Sequence, residues 1–447
     1  MEKIVILGGG ESGVGAAILA QKKGCEVFLS DSGSLKPKYK EMLEEHHIPY
    51  EEGHHTEEKI LDATEVIKSP GIPPYAPLVK KIAAKGIPVL SEIEYAARFT
   101  DARMVCITGS NGKTTTTLLI YHILRKAGLN VGLAGNVGQS LALQVADEEH
   151  PHDIYVIELS SFQLENMYRF KANVAVLLNI TPDHLDRYDH KFENYVEAKF
   201  RIIRNQTPDD YFVYWDGDPV IARQLEHVKI EARALPFGVD REDQAAAWIE
   251  GKMVEVQTPQ ERWEMSRDDL SLKGLHNLYN SMAAGISASV LSVAPDVVKE
   301  ALSDFEAVEH RLELVDSIEG VRWINDSKAT NVNSAYYALE SMTTPTVLIL
   351  GGTDKGNDYS EIEPLVREKV KAIVAMGVDN KKIVDFFTGI VPVVSTDSLD
   401  DCIAACRKFA TAGDTVLLSP CCASFDLFKS YVDRGNRFKE AVKALRK

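Results

Sequence analysis

The stretch "ITGSNGKTT", residues 107–115, is built to hold phosphate. Backbone N–H groups around Gly109, Ser110, Asn111 and Gly112, together with the N-terminus of the helix that follows, would cradle anionic oxygens. Lys113 would supply the counter-charge, and the hydroxyl of Thr114 or Thr115 could reach a magnesium ion. The loop is shorter than the general phosphate loop, whose first glycine is replaced here by Ile107. Glu158 ends the apolar run "IYVIE", where a carboxylate suits Mg²⁺ carried by nucleotide phosphates, the alternatives being a helix N-cap or a solvated loop residue. His184 lies between Asp183 and Asp186 in "LLNITPDHLDRY" and is either a ligand or a structural histidine. Lys199, in "YVEAKFRII", reads by spacing as an ordinary helical lysine.

A second group of polar residues lies near the C-terminus. "NDSKATN" places Asp326, Lys328 and Thr330 at a strand end, "GGTDKGND" places Lys355 after another, and "SPCCASFDLFKSYVDRGNRF" has Ser424 and Phe425 near a helix start. Lysines and hydroxyls at neighbouring strand ends make an anion site. At the other end of the chain, Gly8, Gly10 and Gly13 satisfy G-x-G-x-x-G between a strand and a helix, with Asp31 downstream and a Ser-Pro-Gly turn at Ser69, Pro70 and Gly71. That pattern fits either a nucleotide-like ligand or a tight turn without one.

The elements that must position these residues are strands alternating with helices, which predicts mostly parallel sheets with ligands at the carboxyl ends of their strands. The fold class is α/β with three domains: an N-terminal Rossmann-like domain over residues 1–95, a central P-loop-type mononucleotide-binding domain over 96–307, and a C-terminal Rossmann-like domain over 308–447. "SEIEYAARFT" reads as a short amphipathic helix leaving the first domain. The pattern between residues 230 and 275 is alternating and charged, and it assigns little. A chain of 447 residues is long enough for about three such domains.

Composition is that of a globular enzyme, and no run approaches the roughly 18 apolar residues of a membrane span. The N-terminal apolar run stops at glycines too early for a signal peptide, so a cytoplasmic location is expected. Six cysteines without C-x-x-C spacing argue against disulfides or zinc. The net charge of −16 argues against nonspecific nucleic-acid binding, so anionic ligands must be met by local donors.

"ITGSNGKTT", "ELSSFQLE", "NITPDHLDRY", "EAKFRI", "GLHNLYN", "EHRLE", "WINDSKATN", "LGGTDKG" and "SPCCASFDLFKSYVDRGN" together resemble the Mur ligases, and most closely the members that add D-glutamate to UDP-N-acetylmuramoyl-L-alanine. The resemblance covers nearly the whole chain. It implies an ATP-dependent amide-forming ligase of cytoplasmic peptidoglycan precursor synthesis, working through an acyl phosphate. It also implies two Mg²⁺ (or Mn²⁺) ions, a carbamate derived from CO₂ on Lys199, and a monomer. Lys113 and Thr114 would hold ATP phosphates, with Glu158 at the first metal and His184 and Lys199 at the second. Asn277, Asn280, Arg311 and Asp326 would also bind ATP. Asn136 would meet the muramoyl substrate, and Ser12, Asp31, Ser32 and residues 69–71 its UDP end. Lys328, Thr330, Lys355, Ser424 and Phe425 would surround D-glutamate.

Rival readings are a sibling ligase adding L-alanine or a diamino acid, a folylpolyglutamate synthase, an NAD-dependent oxidoreductase and a nucleotide-gated binding module. The oxidoreductase leaves "SNGKTT" and Glu158 without a role.

Overall fold

The computed structural model describes residues 2–241, 244–305, 309–354 and 356–446, with the side chains of residues 333 and 337 also left aside. Lys355 and the expected boundary at 307/308 therefore lie outside the described residues. The chain forms two compact units, one comprising Met1–Leu270 with Tyr279–Ser303 and the other Ser271–Leu278 with Asp304–Lys447.

The first unit contains two sheets. In the first, β1 (Lys3–Leu7), β2 (Glu26–Asp31), β3 (Tyr50–Glu52), β4 (Glu65–Lys68) and β5 (Val89–Leu90) run parallel in the order β3-β2-β1-β4-β5. The order reverses beside β1, which opens a crevice at the carboxyl ends of β1 and β4. The glycine turn lies there, and Ser69 Oγ donates to the Gly8 carbonyl across it at 3.4 Å.

The second sheet holds β6 (Arg103–Thr108), β7 (Val131–Gly135), β8 (Ile154–Glu158), β9 (Val174–Leu177), β10 (Tyr211–Trp215), β11 (Arg233–Phe237), β12 (Ala247–Glu250), β13 (Met253–Gln257) and β14 (Arg262–Ser266). Its order is β14-β13-β12-β11-β10-β9-β6-β8-β7, parallel from β7 to β12 and antiparallel through β13 and β14. The alternating pattern after residue 230 is thus an antiparallel extension with one buried face, as in β14, where Trp263 and Met265 are buried.

One apolar core runs through both sheets. It includes Ile4 and Ile6 of β1, Val14 to Ala20 of the helix Glu11–Lys22, Leu141 and Val145 of the helix Leu141–Ala146, and Cys106 of β6. The helix Glu92–Ala96 forms where a short amphipathic helix is expected, but all five of its residues are buried. Its two carboxylates explain the difference. Glu92 accepts from Ser140 Oγ at 2.7 Å and the Ala142 amide at 2.6 Å, while Glu94 accepts from the amides of Tyr168, Arg169 and Phe170 at 2.9 to 3.0 Å. A buried carboxylate is tolerated when its acceptor sites are filled in this way.

The second unit is built on β15 (Glu313–Ile318), β16 (Val321–Asn325), β17 (Thr346–Leu350), β18 (Val370–Met376), β19 (Val393–Thr396) and β20 (Thr415–Leu418), in the order β15-β16-β20-β17-β18-β19. All neighbours pair in parallel except β15 with β16. Separate cores cover its two faces, one around Leu348, Tyr359 and Phe387 and the other around Trp323, Val416 and Phe438.

Candidate active site

β6 ends at Thr108, and the chain turns through Gly109 and Gly112 into the helix Lys113–Lys126. Both glycines have positive φ, +151° and +83°, a region that L side chains rarely enter. At Gly112 a side chain would also collide with Asn280. The loop is tied to the neighbouring strand end. The Ser110 amide donates to the Asn179 carbonyl at 2.9 Å, the Asn111 amide to Asn179 Oδ1 at 2.8 Å, and Ser110 Oγ to the Thr181 carbonyl at 2.9 Å.

Lys113 Nζ donates to the carbonyls of Gly109 and Ser110 at 2.8 and 2.9 Å. Lys199, on the helix Phe192–Phe200, reaches the same Gly109 oxygen at 2.7 Å. The lysine that reads by spacing as an ordinary helical one is 1% exposed. Burial, then the charge of Lys113, depresses its pKa well below the usual lysine value, with Asp183 and Glu158 opposing. Tyr195, one helical turn earlier, places its ring 4.7 Å from Lys199 Nζ and its hydroxyl 3.0 Å from Ser110 Oγ.

Glu158 closes β8, is 1% exposed, and accepts from Asn136 Nδ2 at 2.9 Å. Its carbonyl accepts the Asn136 amide at 2.9 Å, so the residues expected at a metal and at the muramoyl group share a corner. His184 has a left-handed backbone at φ 52° and sits before the turn Leu185–Tyr188. Its Nε2 is 3.6 Å from Asp183 Oδ2, its ring stacks edge-on to Phe162 at 5.1 Å, and its side chain is 44% exposed. Lys113, Glu158, Lys199 and the His184 turn therefore follow β6, β8 and β9 at one edge of one sheet. Thr114 and Thr115 begin the phosphate-loop helix, both buried. Asn280 accepts from Thr116 Oγ1 at 3.1 Å, which puts it beside this loop.

At the first sheet, Asp31 accepts from the Gly9 amide at 2.6 Å and the Gly33 amide at 2.7 Å. Ser12 lies in the first turn of the helix Glu11–Lys22, Ser32 follows β2, and residues 69–71 follow β4. These residues collect at one sheet edge, whereas Asn136 belongs to the second sheet.

In the second unit, Asp326 is buried and pushed up to about 7 by desolvation, against hydrogen bonds and the nearby Arg311 and Arg434. It accepts from Ser419 Oγ at 2.8 Å. Arg311 also lowers His276, which burial takes down to about 4, and Asn277 follows His276 in sequence, with its Nδ2 on the Lys273 carbonyl at 2.9 Å. Lys328 Nζ is 5.6 Å from the Tyr431 ring centroid. Thr330 follows Lys328 in the same loop, its amide on the Lys328 carbonyl at 2.9 Å. Ser424 is buried, while Phe425 is 71% exposed. Arg434, a residue the sequence reading did not single out, joins these loops. Its guanidinium donates to Ser327 Oγ and carbonyl at 3.0 and 2.9 Å and to the Cys422 carbonyl at 3.2 Å. It stands inside the segment quoted for Ser424, but its burial depends on a contact 107 residues away.

Three family models match the chain. Residues 3–78 match the MurD N-terminal domain, 107–288 the Mur ligase middle domain, and 310–422 the Mur ligase glutamate ligase domain. The UDP-N-acetylmuramoylalanine–D-glutamate ligase of Bacteroides thetaiotaomicron is 60% identical over 447 residues, covering 100% of both chains. That of Porphyromonas gingivalis W83 is 58% identical over 445 residues, 98% of each. Among solved structures, a pseudomurein peptide ligase type C from Methanothermus fervidus matches with a TM-score of 0.63 at 18% identity over 100% of both chains. UDP-N-acetylmuramate-alanine ligase MurC from Thermotoga maritima matches with 0.62 at 18%, covering 99% of this chain and 100% of that one. A short phosphate loop with a carboxylate at the next strand tip, and full-length identity at this level, lead to one conclusion: the chain belongs to the Mur ligase family.

Proposed function

We propose that this chain is an ATP-dependent ligase that adds D-glutamate to UDP-N-acetylmuramoyl-L-alanine. The observation that carries the reading is the convergence of Lys113 and Lys199 on the Gly109 carbonyl, at one sheet edge with buried Glu158. Full-length likeness to D-glutamate ligases supports the substrate assignment.

A carboxylate is a poor electrophile until one oxygen becomes a leaving group. ATP would phosphorylate the alanyl carboxylate of the UDP substrate, releasing ADP. The amine of D-glutamate would attack the acyl phosphate, and the tetrahedral intermediate would expel phosphate as the amide forms. Positioning and charge stabilisation do most of this work. In this reading Lys113 leaves the loop carbonyls for the phosphates, and the loop amides of residues 109–112 orient them. Asn277, Asn280, Arg311 and Asp326 would bind the rest of ATP. Asn136 would bind the muramoyl group, with Ser12, Asp31, Ser32 and residues 69–71 at the UDP end. Lys328, Thr330, Lys355, Ser424 and Phe425 would take D-glutamate.

Thr114 and Glu158 would hold one magnesium (or manganese) ion, and His184 and Lys199 the other. Mg²⁺ supplies charge neutralisation on the transferring phosphoryl group. As an ammonium Lys199 would repel a metal. Its burial beside Lys113 favours the neutral amine, which CO₂ converts to an anionic carbamate. Among the described residues no helix is long and apolar enough to cross a membrane. A cytoplasmic monomer, with domains divided near residues 95 and 307, completes the proposal.

The test is ADP release with ATP, Mg²⁺ and UDP-N-acetylmuramoyl-L-alanine, offering D-glutamate, L-glutamate, L-alanine, L-lysine and diaminopimelate separately. Turnover with D-glutamate alone is expected. Turnover with another amino acid keeps the ligase and overturns the specificity; silence with every amino acid overturns both.

A further inference from the structure

The turn after β4 carries Ser69, Pro70 and Gly71, and it is held from below. Lys68, the last residue of β4, is 2% exposed, and its Nζ donates to the carbonyls of Ile72 at 2.6 Å and Ser69 at 3.3 Å. The ammonium thus stitches the two ends of the turn together. The same Ile72 carbonyl accepts from Arg187 Nη2 at 3.4 Å. Arg187 is fixed in turn by Glu165, Nε to Oε1 at 3.1 Å and Nη2 to Oε2 at 2.8 Å, and its guanidinium lies 4.0 Å over the Phe162 ring. Phe162 is also the ring that packs against His184, and the Arg187 amide donates to the His184 carbonyl at 3.0 Å.

Two buried cations therefore share the Ile72 carbonyl beneath the turn, and one of them, Arg187, is paired with Glu165. Burial pushes Lys68 down to about 8, with Arg187 adding to the shift and Glu165 opposing it. An ammonium sealed against carbonyls is an expensive way to close a turn, since an apolar residue would avoid the desolvation cost. It becomes favourable when an anion lies on the far side of the turn.

Resting on the ligase reading above, we propose that Lys68 and Arg187 are positioning residues for the UDP-bearing substrate. They hold the Ser69–Ile72 turn, present positive potential to the substrate's diphosphate, and tie that turn to the one that carries His184. The strap is continuous through Ile72, Arg187, Phe162 and His184, so the anchor of the substrate and the metal corner are set by the same side chain.

The experiment measures kcat and KM for UDP-N-acetylmuramoyl-L-alanine, ATP and D-glutamate, and half-saturating Mg²⁺, in Lys68→Met and Arg187→Lys. Calorimetry follows binding of the UDP substrate without ATP. Lys68→Met is expected to raise KM and Kd for the UDP substrate about tenfold, as the turn loosens and the positive potential behind it is lost, and to move kcat and the other KM values far less. Arg187→Lys is expected to raise that KM and the half-saturating Mg²⁺ together, because lysine cannot keep the two-pronged grip on Glu165 while holding Ile72. A fall in kcat with KM unmoved is what a purely structural role gives, and it overturns the proposal. Should Arg187→Lys fail to fold, Lys68→Met alone decides, and an unchanged UDP-substrate Kd there overturns the diphosphate role. Wild-type protein that binds the substrate while the variants match it overturns the strap alone. Wild-type protein that does not bind it overturns the ligase reading and the strap together.

Discussion

The Gly109 carbonyl accepts from two lysine side chains at 2.8 and 2.7 Å, and only one of the two lysines can be assigned from local sequence. Lys113 follows a glycine pair between a strand and a helix, a pattern whose meaning is complete within a dozen residues. Lys199 takes its character from packing against a loop 90 residues away, which no helical period encodes. The same holds for Arg187, whose partners Glu165 and Ile72 are 22 and 115 residues distant, and for Arg434. Charged residues look like solvated surface until the fold brings their partners in. At this scale the expectation concerns Lys199→Ala. It removes the group that would carry the carbamate and leaves Lys113 and the loop amides in place. Turnover is expected to fall about a hundredfold or more, as when a group meeting transition-state charge is deleted, while ATP binding persists. Wild-type protein depleted of CO₂ should recover with bicarbonate and the variant should not. Wild-type turnover in the variant would remove Lys199 from the metal site.

Among elements, the strand–loop–helix units were legible because apolar runs ending in glycine or polar residues read directly as buried parallel strands, as in "IYVIE" and "TVLIL". The helix Glu92–Ala96 faces otherwise than its sequence implies. Two glutamates suggest a wet side, yet the amides that satisfy them come from residues 142 and 168–170. Glu92 is pushed up to about 7, first by burial and further by the charge of Glu11. Its folded-state pKa lies above its ordinary value of 4.5, so the folded protein keeps a proton that the unfolded chain has released between about pH 4.5 and 7. Stability from this group is therefore highest on the acid side and declines as pH rises through that window, by roughly 3 kcal/mol at most. Glu92→Gln retains an acceptor for Ser140 and Ala142 without the charge. Thermal unfolding is expected to show the variant more stable than wild type at pH 8, with the difference closing by pH 4. Parallel curves across that range would mean that Glu92 is ionised in the fold without cost.

The whole molecule brings polyanionic ligands to a surface of the same sign. The chain carries a net charge of −16, while its proposed substrates are a nucleotide triphosphate, a UDP sugar and an amino dicarboxylate. Long-range attraction cannot gather them, so affinity must come from short-range groups: the amides of the glycine loop, Lys113 beside it, and the substrate turn that Lys68 and Arg187 hold in place. That division follows from screening. The Debye length is about 30 Å at 0.01 M salt and about 8 Å at 0.15 M, so added salt silences the distant carboxylates before it weakens donors in contact with the ligand. Association of UDP-N-acetylmuramoyl-L-alanine is therefore expected to speed up as ionic strength rises over that range, while dissociation changes little, the reverse of an electrostatically steered encounter. Stopped-flow binding at several salt concentrations reads both rates. An association rate that falls with salt would mean that the positive groups near the substrate turn project a field strong enough to outweigh the rest of the surface, and the local-donor account would give way to steering.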